Sequence, residues 1–186
     1  MANLANTQSL FLLHQGDLDS AHVAIGKATR LCFQRGLNRE QLWASKSGYY
    51  IHMARRVLHT TFCLDRRISQ MCGCPPGMRS EEIAVDQPDG LADEDVYPDS
   101  PLPEPSITSL IQPYMRRYAA YAELVGTAWD TIWRPTVASG DRPALDVGET
   151  SLNSQLSSSI DQFRHAEGNS GDIQGQQDIV IRLVGA

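Results

Sequence analysis

Metal ligation and nucleophilic catalysis are the chemistries that the reactive residues of this sequence could support, and their spacing favours neither. Cys72 and Cys74 form a C-x-C pair, but a structural zinc site takes four ligands, and no second pair at ligand spacing accompanies them. With Cys32 and Cys63, they read as free thiols of a helix-rich chain, which suits the cytosol or nucleus better than a secreted, disulfide-stapled scaffold. His22, His52 and His59 fall on predicted helices, and His14 and His165 lie near loops. No nucleophile elbow, HExxH, phosphate loop or GxGxxG accompanies them. No residue is assigned as catalytic or as a metal ligand, no cofactor is expected on this chain, and the histidines are expected to face solvent or to be satisfied in the core.

Charge is the more informative chemistry. The net charge of -6 disfavours a chain that coats nucleic acid, because phosphate binding needs a basic footprint. The average hides a division. Between Lys27 and Arg79 ten Lys and Arg face only Glu40 and Asp65, whereas every charge from Glu81 to Glu104 is acidic. The two blocks are expected to associate within the chain. The pairs Arg55, Arg56 and Arg66, Arg67, mixed with apolar positions, are expected to bridge helix ends and carboxylates rather than to grip phosphate.

The elements that would position these groups are helical. Asn6 to His14 reads as the end of a helix, and Gly16 to Asp19 supplies a turn with capping residues. Ala21, Ala24, Ile25, Ala28, Leu31 and Cys32 recur at helical spacing, with Gly36 placed for a left-handed cap. After a connection anchored by Trp43, a second long helix is predicted from about Tyr49 to Met71, ended by Gly73, Pro75 and Pro76. Residues 79–105 are acidic and proline-rich, which predicts an extended connector. A third long helix is expected from Ser106 to Trp133, with Ile107, Tyr114, Tyr118, Tyr121, Val125 and Trp129 on its apolar side. Pro113 should kink it or sit in a first turn. Its aromatic stripe, Tyr114, Tyr118, Tyr121 and Trp129, is most simply core, and could also line a ligand cavity or a partner surface.

The expected fold is therefore all-α: an irregular antiparallel helical bundle over 1–133, with the connector inside it and a poorly ordered tail over 134–186. Within that tail, Leu152 to Phe163 could form a weak helix and Ile179 to Val184 is an isolated apolar run. The apolar stretch Leu10 to Leu13 is too short to span a bilayer, and no membrane partner is expected. Asp65 needs a partner if buried; it lies one turn from Thr61, and it is expected to cap or pair with groups near Gly73 or the following loop.

Two ordered blocks carry a resemblance. The first closes a helix in Ala28, Thr29, Arg30, Leu31 and continues Gly36, Leu37, Asn38, Arg39. The second runs Arg55, Arg56, Val57, Leu58, then Leu64, Asp65, Arg66, Arg67, Ile68, Ser69, and then Gly73, Cys74, Pro75, Pro76, followed by Val85, Asp86, Gln87, Pro88. Together they resemble the fungal-specific transcription factor domain, the middle homology region of binuclear zinc-cluster regulators. Three positions depart from that pattern: Asn38 stands for His, His59 for Trp and Cys74 for Arg.

The resemblance implies a nuclear regulatory domain without enzymatic activity, whose structural motif is Arg55, Arg56, Asp65, Arg66, Ser69, Gly73, Pro75 and Pro76. It implies that zinc and DNA are handled by an N-terminal six-cysteine cluster that this chain lacks, so the chain is expected to be a fragment or a truncated gene product. Implied partners are a second copy, other transcription proteins and a small-molecule inducer. The competing expectation is a stand-alone helical interaction module or a decoy that does not bind DNA.

Overall fold

Three glycines and two side-chain caps set the helix boundaries. In the computed structural model, which describes residues 1–89, 91, 96–103 and 111–134, helix α1 spans Ala2–Gln15 and stops at Gly16, whose φ of 79° only glycine adopts readily. Asp17 then accepts a hydrogen bond from the Ser20 backbone N–H at 3.1 Å and starts α2, Leu18–Gln34. Gly36, at φ 65°, turns the chain out of α2, with the Leu37 N–H returning to the Cys32 carbonyl at 2.9 Å. A short 3-10 turn, Glu40–Trp43, follows. Its Trp43 is buried and donates its indole N–H to the Gly36 carbonyl at 3.2 Å, so the expected anchor also ties off the α2 terminus. Ser47 caps α3, Gly48–Cys72, by accepting from the Tyr50 N–H.

Helices α1, α2 and α3 share one apolar cluster: Ala5 and Leu13 from α1, Ala21, Ile25 and Ala28 from α2, Leu64 and Ile68 from α3. Helices α2 and α3 run antiparallel, because Cys72 near the end of α3 reaches the Leu18 carbonyl at the start of α2, while Cys32 near the end of α2 meets Thr61 in mid-α3. Fully buried Ile25, Leu58 and Ile68 each contribute on the order of 1.5–3 kcal/mol. The α1 seam is polar as well: Asn6 donates to Thr61 Oγ1 at 2.9 Å, and Thr61 donates to the Val57 carbonyl at 2.8 Å. Thr61 thus serves the α1–α3 contact rather than Asp65.

Helix α4 spans Ile111–Ala128 and passes into a π-helical turn, Trp129–Trp133. Pro113 lies in its first turn, where a missing N–H costs nothing. A second cluster joins α4 to α3 and to the segment after it: Cys32, Leu58, Phe62, Cys63, Met78, Ala119 and Ala122. The fold is all-α, as the periodicity implied. Among the described residues the nearest approach to a sheet is an isolated parallel bridge between Arg39 and Ala84.

All described residues belong to one compact unit, Met1–Pro143. The expected start of the third helix at Ser106 and the expected tail, apart from Arg134, lie outside the described residues, and so does the second unit, Ala144–Ala186.

Candidate functional site

Of the structural motif, Asp65, Ser69, Gly73, Pro75 and Pro76 meet where α3 ends, whereas Arg55 and Arg56 lie near its start. Gly73 adopts φ 63°, and the Cys74 N–H returns to the Ser69 carbonyl at 2.9 Å, which satisfies the helix end. Pro75 and Pro76 then turn the chain back along α3. This brings the Met78 N–H to Asp65 Oδ2 at 2.9 Å, and Gly77 donates to the same carboxylate. Asp65 is 2% exposed and the Met78 side chain is fully buried. Burial pushes the Asp65 carboxyl above its ordinary value, against the pull of the Met78 and Gly77 N–H groups and of the Arg66 charge. A Cβ on Gly77 would stand 3.1 Å from Asp65 Oδ1 and 3.4 Å from the Thr29 methyl. The corner is therefore closed by a carboxylate that caps a loop, and a side chain at Gly77 would have to push that carboxylate aside by a few tenths of an ångström.

Beyond the corner, a 3-10 turn at Ser80–Glu82 leads the acidic connector across the α2–α3 junction. The backbone of Ala84 exchanges hydrogen bonds with its neighbours across the bridge: its N–H donates to the Asn38 carbonyl at 2.9 Å, and its carbonyl accepts from the Glu40 N–H at 3.1 Å. Arg55 holds the next stretch. Its guanidinium binds both oxygens of Glu40, reaches Asp89 Oδ2 at 3.1 Å and stands 3.6 Å from Asp86. Glu40 also accepts from the Asp86 N–H at 3.0 Å. The Arg55 hydrogen bonds hold the Glu40 carboxyl below its ordinary value, and Glu40 in turn raises Arg55. His59, 8% exposed, meets the Asp86 carbonyl through Nε2 at 3.0 Å, and its burial lowers its basicity.

The three positions that depart from the family pattern all lie on this path. Asn38 donates to the Glu82 carbonyl at 2.9 Å, His59 holds Asp86, and Cys74 directs its thiol to the Cys72 carbonyl at 3.6 Å. Arg66, 4% exposed, lies over the Phe62 ring at 5.0 Å and reaches Ser80 Oγ at 3.4 Å; Ser80 donates to Glu123 of α4. Gly126 makes this possible, since a Cβ there would stand 2.5 Å from Arg66 Nη1. Burial, with Glu123 nearby, pushes the Cys63 thiol up to about 12, which leaves it an inert core group.

Of the aromatic stripe, Tyr118 and Tyr121 stack at 6.3 Å, and the Tyr121 hydroxyl donates to Gln70 of α3 at 2.6 Å. Both rings and Trp129 are half-buried, and the fully covered positions are Ala119, Ala122 and Gly126. The Tyr114 side chain lies outside the described residues. Arg56 is half-buried on α3. Glu40 and Asp89 were signalled only by the separation of basic and acidic blocks, whereas Asp86 also lay in the Val85 to Pro88 segment of the resemblance. Gly126 had one, since a glycine inside a helix usually answers a packing demand.

Among the described residues no group of three or more His, Cys, Asp or Glu is placed to hold a metal ion, and no helix is long and apolar enough to cross a membrane. Cys32 and Cys63 are buried and Cys72 and Cys74 partly buried, all four as free thiols. No curated protein and no solved structure matches the chain. Residues 6–119, more than half of the chain and including most of α1, all of α2 and α3, the corner and the connector, match the model of one family, and the chain belongs to that family, the fungal specific transcription factor domain.

Proposed function

We propose that this chain is the regulatory domain of a zinc-cluster transcription factor, working in the nucleus, with DNA contacted through a zinc cluster outside these residues. Family membership over residues 6–119 is the observation that carries the reading. The geometry supports a positioning role. Asp65 fixes the reversal after α3, and Arg55, Asn38 and His59 fix the connector across the helices, so a signal that altered either contact would reach both ends of the domain. The described thiols and the acidic balance do not suit direct zinc or DNA binding. Other transcription proteins are the expected partners, and an inducer would act by shifting the connector. In a reporter assay with the chain fused to an unrelated DNA-binding domain, reporter output changes several-fold and Asp65→Ala abolishes the change; the purified chain retains no zinc and does not shift duplex DNA. An unchanged reporter with a folded, expressed fusion would refute a regulatory role.

A further inference from the structure

Arg66 is a buried cation with an idle donor. It is 4% exposed, and its Nε–H finds no hydrogen-bond partner among the described residues. Asp65, beside it in sequence, is taken up by the Met78 and Gly77 N–H groups. A desolvated guanidinium in this condition suits an anion, because charged, two-pronged hydrogen bonds offset the cost of its burial. Its Nη2 meets a neutral group instead, the Ser80 hydroxyl, at 3.4 Å. Ser80 in turn donates to the carboxylate of Glu123, an exposed residue of α4. A polar link from α3 to α4 thus runs through one half-buried hydroxyl, on a short turn whose neighbours Arg79, Glu81 and Glu82 are exposed.

We propose that Ser80 is a phosphorylation site, and that a phosphate on its Oγ engages Arg66, expels Glu123 and loosens α4 from α3. The γ-phosphoryl group of ATP is transferred to Oγ: its bond to the bridging oxygen of ADP breaks, a bond to Oγ forms, and the hydroxyl proton goes to the base of the kinase. Four features carry the inference. The modified side chain has lost its donor and carries a charge of about -1.5 to -2, so the Glu123 carboxylate faces a like charge where it had a hydrogen bond. Arg66 gains acceptors for Nη2 and for the idle Nε–H, which holds the modified state in place. Gly126, one turn along α4 from Glu123, packs so closely that a Cβ there would stand 2.5 Å from Arg66 Nη1, and turning the guanidinium toward a phosphate disturbs the same helix. Finally, Glu81 and Glu82 follow Ser80 directly, an acidic flank complementary to a kinase with a basic substrate cleft. The inference goes beyond the regulatory reading and does not depend on it, since a helical interaction module would respond in the same way.

The test uses the full chain, treated with ATP and an acid-directed serine kinase, and the same chain with phosphoserine installed at position 80 during translation. Peptide mapping by mass spectrometry is expected to place the kinase's phosphate on Ser80. Cys63 is buried with Ala119 and Ala122 of α4, so its alkylation by iodoacetamide reads the loosening, and it is expected to run at least about 10-fold faster in the phosphorylated chain through local opening. In Glu123→Gln the repulsion is gone, and phosphate at position 80 is expected to accelerate Cys63 much less. A structural defect of any other origin at Ser80 would act alike in both backgrounds. A folded chain that the kinase leaves unmodified at Ser80 overturns the proposal. Phosphoserine at position 80 that leaves Cys63 alkylation unchanged, or that accelerates it equally in Glu123→Gln, overturns it as well.

Discussion

Replacing Asp65 with alanine tests the corner most directly. The carboxylate is 2% exposed and accepts from two backbone donors, Met78 N–H at 2.9 Å and Gly77 N–H. Alanine leaves both donors unpartnered in a buried turn, at about 1–3 kcal/mol for each. It also relieves the cost of holding a buried carboxylate, the cost that raises the Asp65 pKa. The expected net loss is about 2–4 kcal/mol, which for a chain of this length lowers Tm by roughly 5–15 °C. Asp65→Asn preserves one acceptor for Met78 but turns an amide N–H₂ toward Gly77, so it should lose about half as much. The pH dependence has a definite sign. A carboxyl whose folded pKa lies above its ordinary 3.8 adds most stability below that value and loses it as pH rises through the folded pKa. The Asp65→Asn deficit should therefore be larger in acid than at neutral pH. Thermal unfolding by circular dichroism reads the loss, and hydrogen exchange at Gly77 and Met78 reads its location. A variant within about 1 °C of wild type, with those two amides still protected, would refute the cap.

Three further outcomes follow from the same contacts. Arg55→Met removes the clamp on Glu40, Asp86 and Asp89, so limited proteolysis between residues 84 and 89 should accelerate, and wild type should approach the variant's rate in high salt as the ion pairs are screened. His59 is buried and held below its ordinary 6.5, so the unfolded chain binds the extra proton as pH falls from 6.5 through the folded value, and stability falls with it. His59→Gln keeps a donor for the Asp86 carbonyl and should flatten the Tm profile across that range; an equally steep profile would exclude His59 as its source. Gly126→Ala sets a methyl 2.5 Å from Arg66 Nη1 and should cost about 1–3 kcal/mol by overpacking, part of which Arg66→Ala in the same chain recovers in a thermal melt.

Periodicity located α2 and α3 to within two residues at each end, because both have an apolar face, a side-chain cap and a left-handed glycine in sequence order. In α4, Tyr118 of the expected stripe packs half-buried against the second cluster. Large apolar residues were expected to face inward, yet the covered line is Ala119, Ala122 and Gly126, while Tyr118 and Tyr121 are only half-buried. At Gly126 the cause is Arg66, whose buried guanidinium stands where a side chain would go; Ala119 and Ala122 pack on Phe62, Cys63 and Met78 in the second cluster. Helix α1 was legible only as a helix end, since its inward face is polar and gives little amphipathic signal. The Asn6–Thr61 contact spans 55 residues and has no local signature. The corner was readable because Gly73, Pro75 and Pro76 end a helix by general rules. That Asp65 caps the loop after Gly73 was expected from its burial; that its partners are Gly77 and Met78 depends on where the chain goes after the prolines, which spacing does not encode.

The contacts of this domain divide into those that hold the helices and those that place the connector. Ile25, Leu58, Ile68 and Met78 are completely buried, and their apolar area resists unfolding without specifying where residues 84–89 lie. The Arg55 cluster is the reverse. Asp86 is 85% exposed and Asp89 39% exposed at the side chain, so solvent screens most of their attraction and each contributes little to stability. Their number and direction still select one path for the connector over Glu40. Asp65 belongs to both sets, because its cap is buried and it also fixes the point at which the connector departs. Arg55→Met should accordingly move the connector with little change in Tm, and Asp65→Ala should change both. Equal thermal losses in the two variants would mean that connector and core unfold as one unit, and that position and stability are not separable here.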